Sequence, residues 1–224
     1  VDALVIGNNE ALSDRGGLTG ELFRRAGVGL ERETLQLESV RTGEAQCTAG
    51  HGLAAVQVVH AVGPKYKAQY MSASDSALHS CYRATLRLCH AKGLRTLAFC
   101  GPLHDYEKKQ YPRLDGAHVA LRTIRKFMER HPDAFEVVLL YLPVDADFEA
   151  YSRLMPHYFP RTLAEKRRAA EALAGVALGD AHGEVKSSER EIRISRFLPS
   201  SSEGREEPPV RTPPSCARPA ASSA

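Results

Sequence analysis

At 224 residues, 43% hydrophobic and 25% charged, the chain has the composition of a globular protein with one good-sized domain, or a domain and a tail. It is too long to depend on disulfide or metal staples, and its longest apolar run, residues 137–144, is far too short to cross a bilayer. The net charge of +3 is spread evenly, so composition alone does not argue for nucleic acid. Cys47, Cys81, Cys89, Cys100 and Cys216 form no Cys-x-x-Cys pair, which suggests reduced thiols in an intracellular, cytoplasmic setting and lacks zinc-site spacing. No apolar segment follows a basic N-terminus, so no signal peptide is read. The absence of an initiator Met at Val1 suggests a piece of a longer chain.

Residues 1–6 form a short apolar run broken by Gly7-Asn8-Asn9. Leu18, Leu22, Phe23 and Ala26 fit one helical face, closed by Gly27. Residues 56–62 are β-branched and end at Gly63-Pro64, which predicts a strand. Leu78, Cys81, Tyr82, Thr85 and Cys89 repeat at helical spacing, with Ser74 or Asp75 as the expected cap and Gly93 as the stop. Residues 96–100 predict a strand. Residues 117–130 predict a helix with Ala120, Ile124, Phe127 and Met128 inward and Arg122, Arg125 and Arg130 outward. Residues 137–142 read as a strand buried on both faces, and residues 149–155 as a helix ending before Pro156. Strands alternating with helices indicate an α/β sandwich around a largely parallel sheet.

The composition breaks near Arg161: fourteen of the fifteen aromatics precede it. Residues 162–198 read as a linker with a short helix over 163–174 and a strand over 191–195. The Pro/Ser-rich residues 199–224 lack core-forming side chains and are expected to be disordered.

In such sheets, ligands bind beyond the carboxyl ends of the strands. One candidate loop runs from Gly7 to Gly17, where glycine backbone can approach a phosphate and Asn8 and Asn9 can meet sugar hydroxyls. The plainer reading is that Asn and Gly are turn formers. The other loop, residues 101–112, holds His104, Asp105, Tyr106, Glu107, Lys108 and Lys109. Cys100 with His104, or Cys47 with His51, has the residue types of a nucleophile and base, but buried strand cysteines and solvated histidines explain both pairs. His60 reads as a hydrogen-bonded core residue. Lys65, Lys67, Lys108 and Lys109 alternate with tyrosines, a pattern that suits single-stranded RNA or a solvated loop surface. No Gly-x-Gly-x-x-Gly or Walker sequence is present.

The ordered segment resembles a macro domain, the module best known for binding ADP-ribose. The likeness rests on residues 1–5 with the following Asn stretch, on Arg41-Thr42-Gly43-Glu44-Ala45, and on Val59-His60-Ala61-Val62-Gly63-Pro64. Ser80-Cys81-Tyr82-Arg83, Gly93-Leu94-Arg95-Thr96 with Phe99, and Tyr111-Pro112 follow in order, so the match spans residues 1–161. Gly63-Pro64-Lys65-Tyr66-Lys67, Tyr158-Phe159-Pro160-Arg161 and residues 190–195 resemble a subfamily in which a CRAL-TRIO-like domain usually follows; nothing after Ser195 resembles that domain. The resemblance implies a three-layer α/β/α fold with a mixed sheet of about six strands. It also implies that the family's first strand and its adenine-recognising acidic residue lie upstream of Val1.

This sequence departs from hydrolytic members of that family. Asn9 keeps the last Asn of the first motif, but Ile6 replaces the first. Thr19-Gly20 stands where the family carries an acidic residue and Gly, and Thr19 is expected to cap the helix. The second loop has lost its glycines after Gly101 and gained Asp105 and Glu107, which would oppose a diphosphate. The resulting reading is a non-catalytic binding module for an ADP-ribose-like nucleotide or poly(A)/RNA, with no cofactor or metal. Its expected ligand residues are Asn8, Asn9, Gly16, Gly17, Thr19, Gly20, Gly101, His104, Tyr106 and Asp145, with RNA contacts at Lys65, Lys67, Lys108 and Lys109. The alternatives are a protein-interaction scaffold with no small ligand and a residual ADP-ribosyl hydrolase.

Overall fold

The computed structural model describes residues 1–104 and 111–185. The predicted strand over 191–195, the tail from residue 199, Tyr106, Lys108 and Lys109 lie outside the described residues. Five strands form one sheet: β1 (Ala3–Asn8), β2 (Ala45–Ala49), β3 (Gln57–Val62), β4 (Thr96–Cys100) and β5 (Val137–Tyr141), in the order β2-β3-β1-β4-β5. β1 is parallel to β3 and β4, and β4 to β5; only β2 runs antiparallel, against β3. The sheet is therefore mixed but largely parallel, as expected.

The alternation of a strand explains the layers. Ala3 and Val5 of β1 join Val59, Ala61, Leu97 and Phe99 in one core. On that face lie α3 (Met71–Ala91), α4 (Arg113–Arg130) and α5 (Asp145–Tyr158), represented by Leu78, Tyr82, Ile124 and Tyr151. Ile6 and Val58 point the other way, onto Leu22, Phe23 and Ala26 of α1 (Gly17–Ala26) and Leu30 of α2 (Val28–Gln36). With both faces covered, residues 3–6 of β1 are apolar without a break.

Helix α2 and strand β2 carry no clear sequence signal. Gly27, with φ at 81°, ends α1 and at once begins α2, which buries only Leu30 and Thr34. β5 corrects an expectation. It is an edge strand paired only with β4 among the described residues, and its exposure alternates. Val138 and Leu140 pack into the core, whereas Val137, Leu139 and Tyr141 are exposed because α1 and α2 lie over the other end of the sheet.

Three helix boundaries also differ. A 3-10 turn over Ala68–Tyr70 leads into α3, so Ser74 and Asp75 lie inside the helix rather than capping it. Asp75 instead accepts the Tyr111 hydroxyl. α4 starts after Pro112, and its Arg122 is buried, not outward: Nε donates to the Gly183 carbonyl at 2.8 Å and Nη1 to that of Ala177 at 3.1 Å. α5 begins at Asp145 and includes Pro156, where only one i−4 hydrogen bond near the end is lost. The last helix among the described residues, α6 (Leu163–Ala172), is capped by Thr162, whose hydroxyl accepts the Glu165 N–H at 3.1 Å. α6 buries Ala169, and the following Leu173 packs against the main core.

Candidate nucleotide-binding cavity

The parallel strands β1, β3, β4 and β5 place their carboxyl ends at one rim of the sheet. A cavity of about 980 Å³ opens there. Asn8 closes β1, Gly63 and Pro64 follow β3, Gly101 follows β4, and Pro143 and Val144 follow β5; all four stretches line the cavity. The start of α1 supplies Gly16, Gly17 and Thr19, and the start of α3 supplies Ala73 and Ser74.

Asn8 organises the first loop. Its Oδ1 accepts the N–H groups of Asn9 at 2.9 Å and Asp14 at 3.1 Å, and its sealed Nδ2 has no hydrogen-bond partner. Asn9 is exposed and faces Ser13: its Oδ1 accepts the Ser13 N–H at 2.9 Å and its Nδ2 donates to Ser13 Oγ at 3.1 Å. Asp14 accepts the Gly16 N–H at 2.8 Å. The Arg15 guanidinium donates to the Leu12 and Asp14 carbonyls and lies 3.5 Å from the centre of the Phe23 ring. Glu10 accepts the Thr42 hydroxyl at 2.8 Å and its N–H at 3.2 Å, and those bonds hold its carboxyl below the usual range.

The helix start itself is open. Gly16 is the N-cap of α1, no side chain caps it, and no acidic residue lies in the first turn. Orphan N–H groups and the positive end of the helix dipole therefore meet the cavity. Thr19 is not the expected cap. It sits inside the first turn, nearly buried, and donates its hydroxyl to the Gly7 carbonyl at 3.0 Å, tying α1 to β1.

Of the expected site residues, the cavity gathers Asn8, Asn9, Gly16, Gly17, Thr19 and Gly101, together with Lys65 and Lys67. Gly20 is excluded by packing, because a Cβ there would overlap the Arg15 carbonyl oxygen. His104 is buried behind the wall, stacked on Tyr111 with ring centres 5.2 Å apart. Asp145 is exposed at the first turn of α5 and does not line the cavity. Sequence reasoning missed Glu10, Thr42, Gly63, Pro64 and Ser74. The shared rim of parallel strands would have pointed to Gly63 and Pro64, while Thr42 has no local signal.

The cysteine–histidine pairs are structural. Burial pushes the Cys100 thiol up to about 11, and its Sγ lies 3.7 Å from the Ala98 carbonyl. His51 lies 2.6 Å from Glu33, not on Cys47. His60 is wholly buried, meets the Thr48 hydroxyl at 3.0 Å, and is held down to about 4 by desolvation. Among the described residues, no cluster of His, Cys, Asp and Glu can hold a metal, and no helix is long and apolar enough to cross a membrane.

A family model described as Macro domain matches residues 5–103. The crystal structure of the ganglioside-induced differentiation-associated protein 2 macro domain is 40% identical, with a TM-score of 0.69 over 72% of this chain and 79% of that one. The Trypanosoma brucei macrodomain in complex with ADP-ribose is 32% identical, with a TM-score of 0.60 over 69% of this chain and 63% of that one. Ganglioside-induced differentiation-associated protein 2 from Xenopus tropicalis is 42% identical and that from Homo sapiens 40%, each over 193 residues. These alignments take in 86% of this chain but 38% of those proteins, so the chain spans well under half the length of these curated relatives. With a solved macro domain 40% identical and covered over 79% of its length, the chain belongs to the macro domain family.

Proposed function

We propose that the cavity binds ADP-ribose, or a closely related nucleoside diphosphate, without hydrolysing it from a carrier. The observation that carries this reading is the uncapped Gly16-Gly17 start of α1 opening into a cavity of about 980 Å³. Fixed main-chain donors at a helix N-terminus suit a diphosphate. The size suits a nucleotide, since sites for compact organic ligands run roughly 300–1,000 Å³. Lys65 and Lys67 at the wall add positive charge. The ADP-ribose complex of the related Trypanosoma brucei macrodomain supports the same ligand class.

The non-catalytic half rests on the lining side chains. Thr19 does not ionise near neutral pH, and its proton is donated to Gly7. Glu10 is held by Thr42, and Asp14 by the Gly16 N–H. Neither is placed as a free general base.

Calorimetry with ADP-ribose, paired with release of ADP-ribose from a modified acceptor protein, tests both halves. We expect binding by the wild type, loss of binding in Gly16→Asp, and no release. Turnover by the wild type would overturn the non-catalytic half. Absence of ADP-ribose binding would overturn the ligand and favour a scaffold. Competition by poly(A) would extend the ligand class to RNA.

A further inference from the structure

A second cavity of about 290 Å³ lies between α3 and α4 and shares no lining residue with the first. Its wall carries Arg83 and Arg87 from α3, Lys126 and Arg130 from α4, and the imidazoles of His131 and His182. No carboxylate lines it among the described residues. Elsewhere on the helices, Arg24, Arg25 and Arg125 lie against Glu21 or Glu129 at 2.6 to 2.7 Å. Arg83 and Arg87 have no such partner among the described residues. Lys126 is 3.3 Å from Glu129, on the side shared with Arg125.

The remaining wall is held in place. Residues 177–184 cross α4 as a strap. Buried Arg122 ties it down through the Ala177 and Gly183 carbonyls. Asp180 Oδ1 accepts the N–H groups of His182 at 2.8 Å and Glu184 at 3.1 Å, so its carboxylate is turned into its own loop. The tied strap places His182 Nε2 3.2 Å from Arg130 Nη1. Burial, together with the neighbouring His90, Arg130 and His182, holds His131 below its ordinary range. Four formal positive charges thus surround one concavity, and like charges so arranged repel unless an anion sits between them. At ~30 Å³ per water the cavity holds about ten waters, enough for a di- or triphosphate group but tight for a nucleoside beside it.

We propose that this cavity is a second anion site, independent of the nucleotide cavity, that takes a compact group bearing two or more phosphate charges. The guanidinium groups of Arg83 and Arg87 clamp one end of the anion, and Lys126 and Arg130 the other. Two sources present this chemistry: a free pyrophosphate-type ion and a phosphorylated lipid headgroup.

The experiment is calorimetry with pyrophosphate on Gly16→Asp, in which anion binding at the first cavity is weakened, and on the same protein carrying Arg83→Ala and Arg87→Ala. Alanine is the best helix former, so the fold should persist, and a melting curve checks it. We expect one equivalent to bind to Gly16→Asp, with affinity reduced about tenfold or more in the arginine variant. No binding to Gly16→Asp, or equal binding to both proteins, would overturn the proposal. Flotation with phosphatidylcholine vesicles, with and without a phosphoinositide, identifies the source. Arginine-dependent capture by phosphoinositide vesicles assigns a headgroup, and pyrophosphate binding without capture assigns a free ion. Because the test does not involve ADP-ribose, it stands whether or not the nucleotide reading holds.

Discussion

Around the nucleotide cavity, polar side chains face the protein itself: Asn8 and Asp14 hold loop amides, Glu10 holds Thr42, and Thr19 holds Gly7. The donors left for a ligand there are backbone N–H groups at the helix start, with Lys65 and Lys67 adding charge at the wall. Between α3 and α4 the situation is reversed, with a quiet backbone inside helices and long cationic side chains facing open space. Backbone donors are fixed in geometry before a ligand arrives, which favours selectivity. Arginine and lysine side chains adapt their geometry, and their attraction falls as salt screens it. The two regions should therefore differ in ligand discrimination and in salt sensitivity.

The largest expected effect concerns two histidines, one beneath each region. His60 on the α1 side and His79, whose Nδ1 meets Thr123 Oγ1 at 2.9 Å, are each held down to about 4 by burial. In the unfolded chain both titrate near the ordinary value of about 6.5. The folded state therefore binds fewer protons below that value. Stability is fully present above about pH 6.5 and is lost as pH falls toward 4, by about 3 kcal/mol for His60 and by less for His79, which solvent screens more. Urea unfolding between pH 7 and 4.5 should show this fall. His60→Gln and His79→Asn, which keep a donor near the bonded nitrogen, should each flatten it. Hydrogen exchange should show which region opens first.

Next in size is Gly16→Asp. The backbone at Gly16, φ −77° and ψ 155°, is open to any residue, and Asp is a good N-cap. Affinity for ADP-ribose should fall about 10- to 100-fold by charge repulsion and loss of the free N–H groups, while the melting temperature holds or rises. A parallel fall in stability would mean that the helix start is not built as described.

Arg122→Met should destabilise the protein by about 1–3 kcal/mol, because two strap carbonyls lose a charged donor. Amide exchange over residues 177–184 should quicken, and pyrophosphate should bind more weakly, with ADP-ribose unaffected. The smallest contrast lies within the first loop. Asn8→Ala should weaken ADP-ribose binding by about 1–2 kcal/mol by releasing two loop amides. Asn9→Ala, which removes an exposed pairing with Ser13, should cost under about 1 kcal/mol. The opposite order, measured by calorimetry, would assign the direct sugar contact to Asn9.

Much of the core was legible because its signals are local. β-Branched residues before Gly63-Pro64 mark β3, and the spacing of Leu78, Cys81, Tyr82 and Cys89 marks α3. The α2 helix was illegible since only Leu30 and Thr34 face inward, too few to set a period. Arg122 reads as a solvent residue until the strap lies over it, a contact 55 and 61 residues away in sequence. β5 shows the same limit: apolar composition cannot tell a central strand from an edge one. At the site, the glycines and asparagines were visible as a loop, but the direction of each amide, and the use of Thr19 as a brace instead of a cap, depend on tertiary contacts.

Close backbone approach also bears on which sequences can encode this cavity. At Gly63 a Cβ would overlap the Leu103 carbonyl oxygen, and at Gly20 that of Arg15. No rotamer change relieves a clash with main chain, so substitutions there must move a whole loop. In a saturation library these two sites should tolerate only glycine, although neither need touch a ligand. Asn9 and Ser13, whose side chains face solvent and each other, should accept many pairs. Invariance around this rim would then record where two backbones touch, and variation would mark where a bound molecule, or selection for a new one, has room to act.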